Sequence, residues 1–160
     1  MDAYTTRGKV AREYEDEAIE ELEKAFENTF ARFPNEKPMD FDGFIIEDSE
    51  IRAMYEARSR DAGFIEGQLE YKSKKYDTVM VTHDKILRCQ KYSKKFGIPF
   101  LFLVIFVQTR NVICFQITDE RGDELIDYEV KETKSQKTIN GGVAFRKNAF
   151  LPLSEAIVWL

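Results

Sequence analysis

One histidine, His83, and two cysteines, Cys89 and Cys114, are all that 160 residues supply of the softer metal ligands. A zinc site needs three or four such groups and a Cys-His nucleophile needs paired partners, so neither chemistry is expected. The cysteines fall in a predicted helix and a predicted strand, where they read as small core residues, and a reducing, cytoplasmic setting is the simpler expectation. No apolar run is long enough to span a bilayer. The longest, Ile98 to Val107, is about half of the roughly 20 residues required, so no membrane span is predicted. The opening Met1-Asp2-Ala3-Tyr4 lacks the charged and apolar regions of a secretory signal. A phosphate-cradling glycine loop is also missing, since Gly141-Gly142 has neither the spacing nor the following lysine. Without internal repeats or a Pro/Gly/Ser-rich linker, residues 1–160 are expected to form a single domain with a substantial core.

What is present fits that expectation. Hydrophobic residues make up 43% and charged residues 33%, and thirteen Phe with seven Tyr supply large surfaces to bury. The formal charge of -5 argues against coating nucleic acid through bulk electrostatics. Charge is nevertheless unevenly placed. Glu13 to Glu27 is strongly acidic, whereas Lys72 to Lys95 is rich in Lys and Arg, so a local basic surface remains available.

Apolar residues at three- and four-residue spacing predict one long helix from about Thr5 to Phe33, ended by Pro34 and Pro38. Most of its acids lie on the far face. Glu15 instead lies in line with Ile19, Leu22 and Phe26, where a charge needs a partner or a metal. Asp40 to Ile46 and Ile51 to Arg58 read as a hairpin around Asp48-Ser49. In the second strand Ile51, Ala53, Tyr55 and Ala57 point one way, and Arg52, Met54, Glu56 and Arg58 the other. A three-residue loop sets Asp42 opposite Glu56; a two-residue loop sets it opposite Tyr55. Arg60 to Tyr76 reads as an irregular excursion with a short strand near Leu69 to Lys72. Thr78 to Val81 is a short apolar piece, Thr82 caps a helix reaching Phe96, and Gly97 and Pro99 stop it. Strands follow at Phe100 to Val107 and Val112 to Ile117. Polar stretches, a strand at Val143 to Arg146 and a short helix from Ser154 complete an α/β (α+β) domain with a central mixed β-sheet flanked by helices.

Asp42 followed after thirteen residues by Glu56-Ala57-Arg58 is the pattern with most chemistry in it. Two carboxylates on one sheet face can hold Mg²⁺ (or Mn²⁺), completed by waters and a phosphate, while the cation stabilises charge developing on phosphate oxygens. An exposed Glu and Arg on an ordinary hairpin is the competing reading. In context, the acid-bearing helix, Asp42-Gly43, Glu56-Ala57-Arg58-Ser59-Arg60, Thr82-His83-Asp84-Lys85-Ile86 and Gly97-Ile98-Pro99-Phe100 together resemble the PD-(D/E)XK (restriction-endonuclease-like) nuclease superfamily, especially small phage and prokaryotic members. The resemblance implies DNA phosphodiester hydrolysis, metal ligation by Asp42 and Glu56, and a helix glutamate at Glu15 or Glu21. It also implies self-association as a homodimer. Arg58 stands where that family has Lys. An arginine keeps its proton and spreads its charge over a fork, which suits a phosphate clamp and not a base, so Lys85 becomes the candidate substitute.

Lys85, Arg88, Tyr92 and Lys95 recur on one face of the second helix, and Arg60 closes the second hairpin strand. Arg60, Arg88, Tyr92 and Lys95 are the candidate nucleic-acid contacts; a solvated helix face is the alternative. Glu70-Tyr71-Lys72, preceded by Asp61, offers a second E-x-K without an apolar strand before it, and a surface loop competes with it. Two functions of different class remain. One is a Mg²⁺-dependent deoxyribonuclease. The other is a silent nuclease fold that binds, inhibits or assembles with protein partners of a nucleic-acid machine, as Arg58 and the acidic charge favour.

Overall fold

Glu27, and not proline, stops the first helix. α1 spans Thr6–Phe26, and Glu27 then takes a positive φ of 54°, the left-handed turn that commonly ends a helix. The expected continuation to Phe33 is corrected: Thr29–Arg32 is strand β1, with Phe30 buried in the core. Ala18, Ile19 and Leu22 are buried as their spacing requires, but Phe26 is largely exposed and packs its ring on Trp159. The computed structural model describes residues 6–34, 39–137 and 142–160.

β2 (Gly43–Glu47) and β3 (Glu50–Arg60) form the expected hairpin. Asp48 and Ser49 make its two-residue turn with positive φ values of 51° and 62°, the hand that matches strand twist. A regular ladder from this turn would set Asp42 opposite Tyr55. Instead Ile46 pairs with Ile51 and Ile45 with Ala53, leaving Arg52 as a bulge. From there Gly43 pairs with Tyr55, and the register carries Asp42 to a position opposite Glu56. The bulge also corrects the strand's face assignment: Ile51 is 51% exposed, whereas Ala53, Tyr55 and Ala57 are buried.

β3 runs parallel to β8 (Phe100–Phe106), and β8 runs antiparallel to β9 (Val112–Gln116). With β12 (Ile157–Val158) at the far edge they make a mixed six-stranded sheet, ordered β1-β2-β3-β8-β9-β12. β8 is apolar throughout because both its faces are covered. Leu103 and Ile105 join the α1-side core with Ala53, Tyr55 and Ala57; Phe102, Val104 and Phe106 join the other core with Ile86 and Cys89 of α2 (His83–Phe96). α2 ends at Gly97, whose left-handed φ of 69° lets its N–H donate to the Ser93 carbonyl. Thr82 precedes the helix but makes no side-chain capping bond.

Arg60 to Tyr76 is more regular than its composition suggests. It forms a three-stranded meander of β4 (Gly63–Ile65), β5 (Gln68–Tyr71) and β6 (Lys74–Tyr76), which tight turns at Glu66-Gly67 and Lys72-Ser73 hold together with positive φ. The polar C-terminal third is likewise strand: β10 (Glu129–Lys137) pairs with β11 (Val143–Pro152), and β11 pairs with β7 (Thr78–Thr82). The expected last helix is a single 3-10 turn, Leu153–Glu155, because the chain returns at once to β12. No helix among the described residues is long and apolar enough to cross a membrane.

Candidate functional site

β2 begins at Gly43 while β3 runs on to Arg60, so the last residues of β3 lose their antiparallel neighbour. Two carboxylates take its place. Asp42 Oδ2 accepts from the Ala57 N–H at 2.8 Å, and Glu15 Oε1 accepts from the Ser59 N–H at 3.2 Å. These alternate amides face the same edge, so an acid just before β2 and one from α1 are seated side by side by the sheet's own unspent donors. Gly43, the residue after Asp42, lets β2 lie close against β1, since a Cβ there would collide with the Ala31 carbonyl oxygen.

Glu56 lies among these groups, 1% exposed. Both its carboxylate oxygens are buried and two cations flank them: Arg58 is in close ionic contact with Oε1, and Lys85 Nζ lies 3.7 Å from Oε2, which accepts no hydrogen bond among the described residues. Burial pushes its pKa up to about 7; Arg58 and Lys85 oppose that shift and Asp42 reinforces it. Glu15, 5% exposed, is also raised, mainly by burial, with Arg58 and the Ser59 N–H working the other way. Arg58 reaches both neighbours, with NH1 3.7 Å from Asp42 Oδ2, and its outer surface stays partly open to solvent. Burial disfavours its charge, but Glu56, Asp42 and Glu15 outweigh that effect and raise its pKa.

A second layer holds this group. Lys85 Nζ donates to the Asp40 carbonyl at 2.6 Å, and the Asp40 carboxylate accepts from Arg88 at 3.0 Å and from the Tyr92 hydroxyl at 2.8 Å. α2 therefore grips the chain two residues before Asp42. Arg88 and Tyr92 are engaged by this grip, a restraint that the sequence reading as free contacts did not foresee. Lys95 lies over the Phe96 ring, and no ion pair joins it to the carboxylates among the described residues. Arg60 donates to the Ser59 and Met80 carbonyls. Glu21 is exposed and borders a small depression with Tyr14, Glu17 and Arg110, whereas Glu15 is the helix acid beside Asp42. Glu70-Tyr71-Lys72 lies at the end of β5, in the separate meander sheet.

Two arginines escaped the sequence reading. Arg32 of β1 pairs with Glu15 at 3.4 Å and with Asp16, and Arg12 lies 4.0 Å from Asp42 Oδ1. Arg12 stands three residues before Glu15, on the same helix stripe, and that spacing was the available signal. Arg32 was hidden by its assignment to the helix.

Hard oxygen donors with unspent lone pairs, as on Glu56, suit a divalent cation such as Mg²⁺. Among the described residues no three His, Cys, Asp or Glu side chains converge closely enough to enclose an ion. Mg²⁺ commonly takes only one or two carboxylates and completes its shell with water and phosphate, so the donor set fits it.

A mixed sheet with α1 on one face, α2 on the other and carboxylates at the open end of the central hairpin is the restriction-endonuclease-like architecture. Residues 2–130 match the family model described as "Phage putative PDDEXK endonuclease", and the chain belongs to that family. No curated protein and no solved structure gives a significant match.

Proposed function

We propose that this chain is a metal-dependent nuclease hydrolysing DNA phosphodiester bonds, with residues 1–160 as one nuclease domain. The observation that carries the proposal is Glu56: a buried carboxylate whose Oε2 accepts no hydrogen bond among the described residues, beside Asp42 and within reach of Arg58 and Lys85. Asp42 and Glu56 would hold Mg²⁺ or Mn²⁺, with Glu15 assisting from α1. A bound divalent ion supplies Lewis-acid polarisation of the phosphate and a more acidic water. The protein's own groups do the rest. Arg58, partly open to solvent, offers its fork to the scissile phosphate and balances the charge that builds on its oxygens. Lys85, anchored by the Asp40 carbonyl, holds a second positive charge against Glu56 and fills the place of the family's lysine.

Cleavage of duplex, branched and single-stranded DNA with Mg²⁺ and Mn²⁺ tests the proposal. Asp42→Ala and Glu56→Ala should each abolish it, and unchanged cleavage in either refutes the site. A cytoplasmic homodimer belongs to the same proposal, and sedimentation checks the dimer.

One observation favours a second reading, a silent fold that binds or assembles. Arg58 already pairs with both carboxylates and can serve as their resident counter-ion. Metal titration separates the two. Mg²⁺ should raise the melting temperature of the wild type and not of Asp42→Asn if the carboxylates bind it, because a ligand of the native state stabilises by mass action.

A further inference from the structure

The β10–β11 hairpin outgrows the sheet that supports it. β7 pairs with β11 only as far as Asn148↔Thr82, after which Glu132↔Lys147, Thr133↔Arg146 and Lys134↔Phe145 continue as a ribbon of two strands. Such a ribbon gains little stability alone, so its reach beyond the core needs a reason other than folding. Its composition suggests one. Lys131 to Lys147 carries five Lys or Arg against one Glu, in a chain of net charge -5. Lys131 is committed to Glu129 and the Phe150 ring. Lys134, Arg146 and Lys147 are exposed and have no ion pair among the described residues, though Glu132 faces Lys147 across the ladder. Phe145 is 60% exposed.

We propose that the paired segments Glu132–Lys134 and Phe145–Lys147 of this ribbon lie in a groove of duplex DNA, with Lys134, Arg146 and Lys147 on the phosphates and Phe145 against the base edges. The B-form major groove admits a two-stranded ribbon, and thymine methyl groups offer Phe145 an apolar surface. The corresponding groove of an RNA duplex is too narrow. Position agrees with the chemistry: the ribbon leaves the body beside Thr82, where β7 passes into α2, three residues before Lys85. The family match ends at residue 130, so nearly all of the ribbon lies beyond the matched part. The inference rests on the nuclease reading for its substrate class and deepens it to double-stranded B-form DNA.

Fluorescence anisotropy with a labelled DNA duplex, in EDTA so that no metal-dependent cleavage intervenes, provides the test. The triple variant Lys134→Ala/Arg146→Ala/Lys147→Ala should reduce the slope of log affinity against log salt by about 2 to 3, and weaken binding roughly tenfold to a hundredfold near physiological salt. Phe145→Ala should weaken binding without changing the slope. Wild type should prefer the DNA duplex to an RNA duplex of the same sequence, and the triple variant should lose that preference. Lys9→Ala/Lys24→Ala/Lys91→Ala is the control of equal charge and should leave the slope unchanged. A triple variant with wild-type melting temperature, slope and affinity overturns the proposal, as does a control that loses as much. Site variants separate this proposal from the nuclease reading. If Asp42→Ala and Glu56→Ala cleave normally while the ribbon variant binds weakly, the ribbon stands and the catalytic assignment falls; the opposite pattern removes the ribbon alone.

Discussion

Glu56→Gln should stabilise this protein at neutral pH and above, and little at about pH 5. The carboxyl is 1% exposed, and burial raises its folded-state pKa from 4.5 to about 7 against the pull of Arg58 and Lys85. Because the folded value is the higher, the contribution of this group to stability is fully present below 4.5 and is lost as pH rises through about 7. The gap between 4.5 and about 7 corresponds to about 3 kcal/mol of cost once the native protein must carry the ion. Gln has the shape of the neutral acid and never incurs that cost. Urea unfolding in EDTA, followed by Trp159 fluorescence, should find the two proteins within about 1 kcal/mol at about pH 5, and the variant more stable by about 3 kcal/mol at about pH 8. Equal differences at both pH values, or a less stable variant at the higher one, would mean that Arg58 and Lys85 outweigh burial. Mg²⁺ at the higher pH should narrow the gap by stabilising only the wild type, since an ion on Glu56 offsets the buried charge.

Gly43→Ala should destabilise by about 2–4 kcal/mol in the same assay, because its Cβ meets the Ala31 carbonyl oxygen and backbone cannot give way cheaply; a loss under about 0.5 kcal/mol would show that β1 can shift aside. Arg58→Ala should slow Mg²⁺-dependent cleavage about a hundredfold while preserving or enlarging the Mg²⁺-induced rise in melting temperature, since a competing cation leaves the carboxylates. Unchanged cleavage would remove Arg58 from the phosphate. Tyr92→Phe should cost about 1 kcal/mol through the lost hydrogen bond to Asp40, read by thermal denaturation; no loss would show that Arg88 holds Asp40 alone.

Patterns set by burial were legible in the sequence, and those set by backbone detail were not. The stripe of Ala18, Ile19 and Leu22, the apolar run of β8 and the αL glycine after α2 each follow from side-chain properties at fixed spacing. Glu15 was legible for the same reason, as an acid on an apolar stripe. The end of α1 depends on one left-handed residue, Glu27, whose side chain does not announce it. β10 has no apolar alternation; cross-strand pairing with β11 makes it a strand, and that partner is supplied by a later part of the chain. At the site, the types of residue were readable but their engagement was not. Arg88 and Tyr92 look like free surface groups until Asp40 is seen between them.

The bulge at Arg52 also bears on how such sites can be found. A two-residue turn with a bulge and a three-residue loop without one deliver the same pairing beyond them, and a plain two-residue hairpin would deliver it from a chain one residue shorter. The count of residues between the two acids is therefore not the quantity that geometry preserves. A search that fixes that count will overlook relatives whose hairpins absorb the odd residue differently. Parity of the intervening strand, corrected for one bulge, is the better criterion, and an exposed aliphatic residue such as Ile51 just before a continuously buried run marks where to apply it.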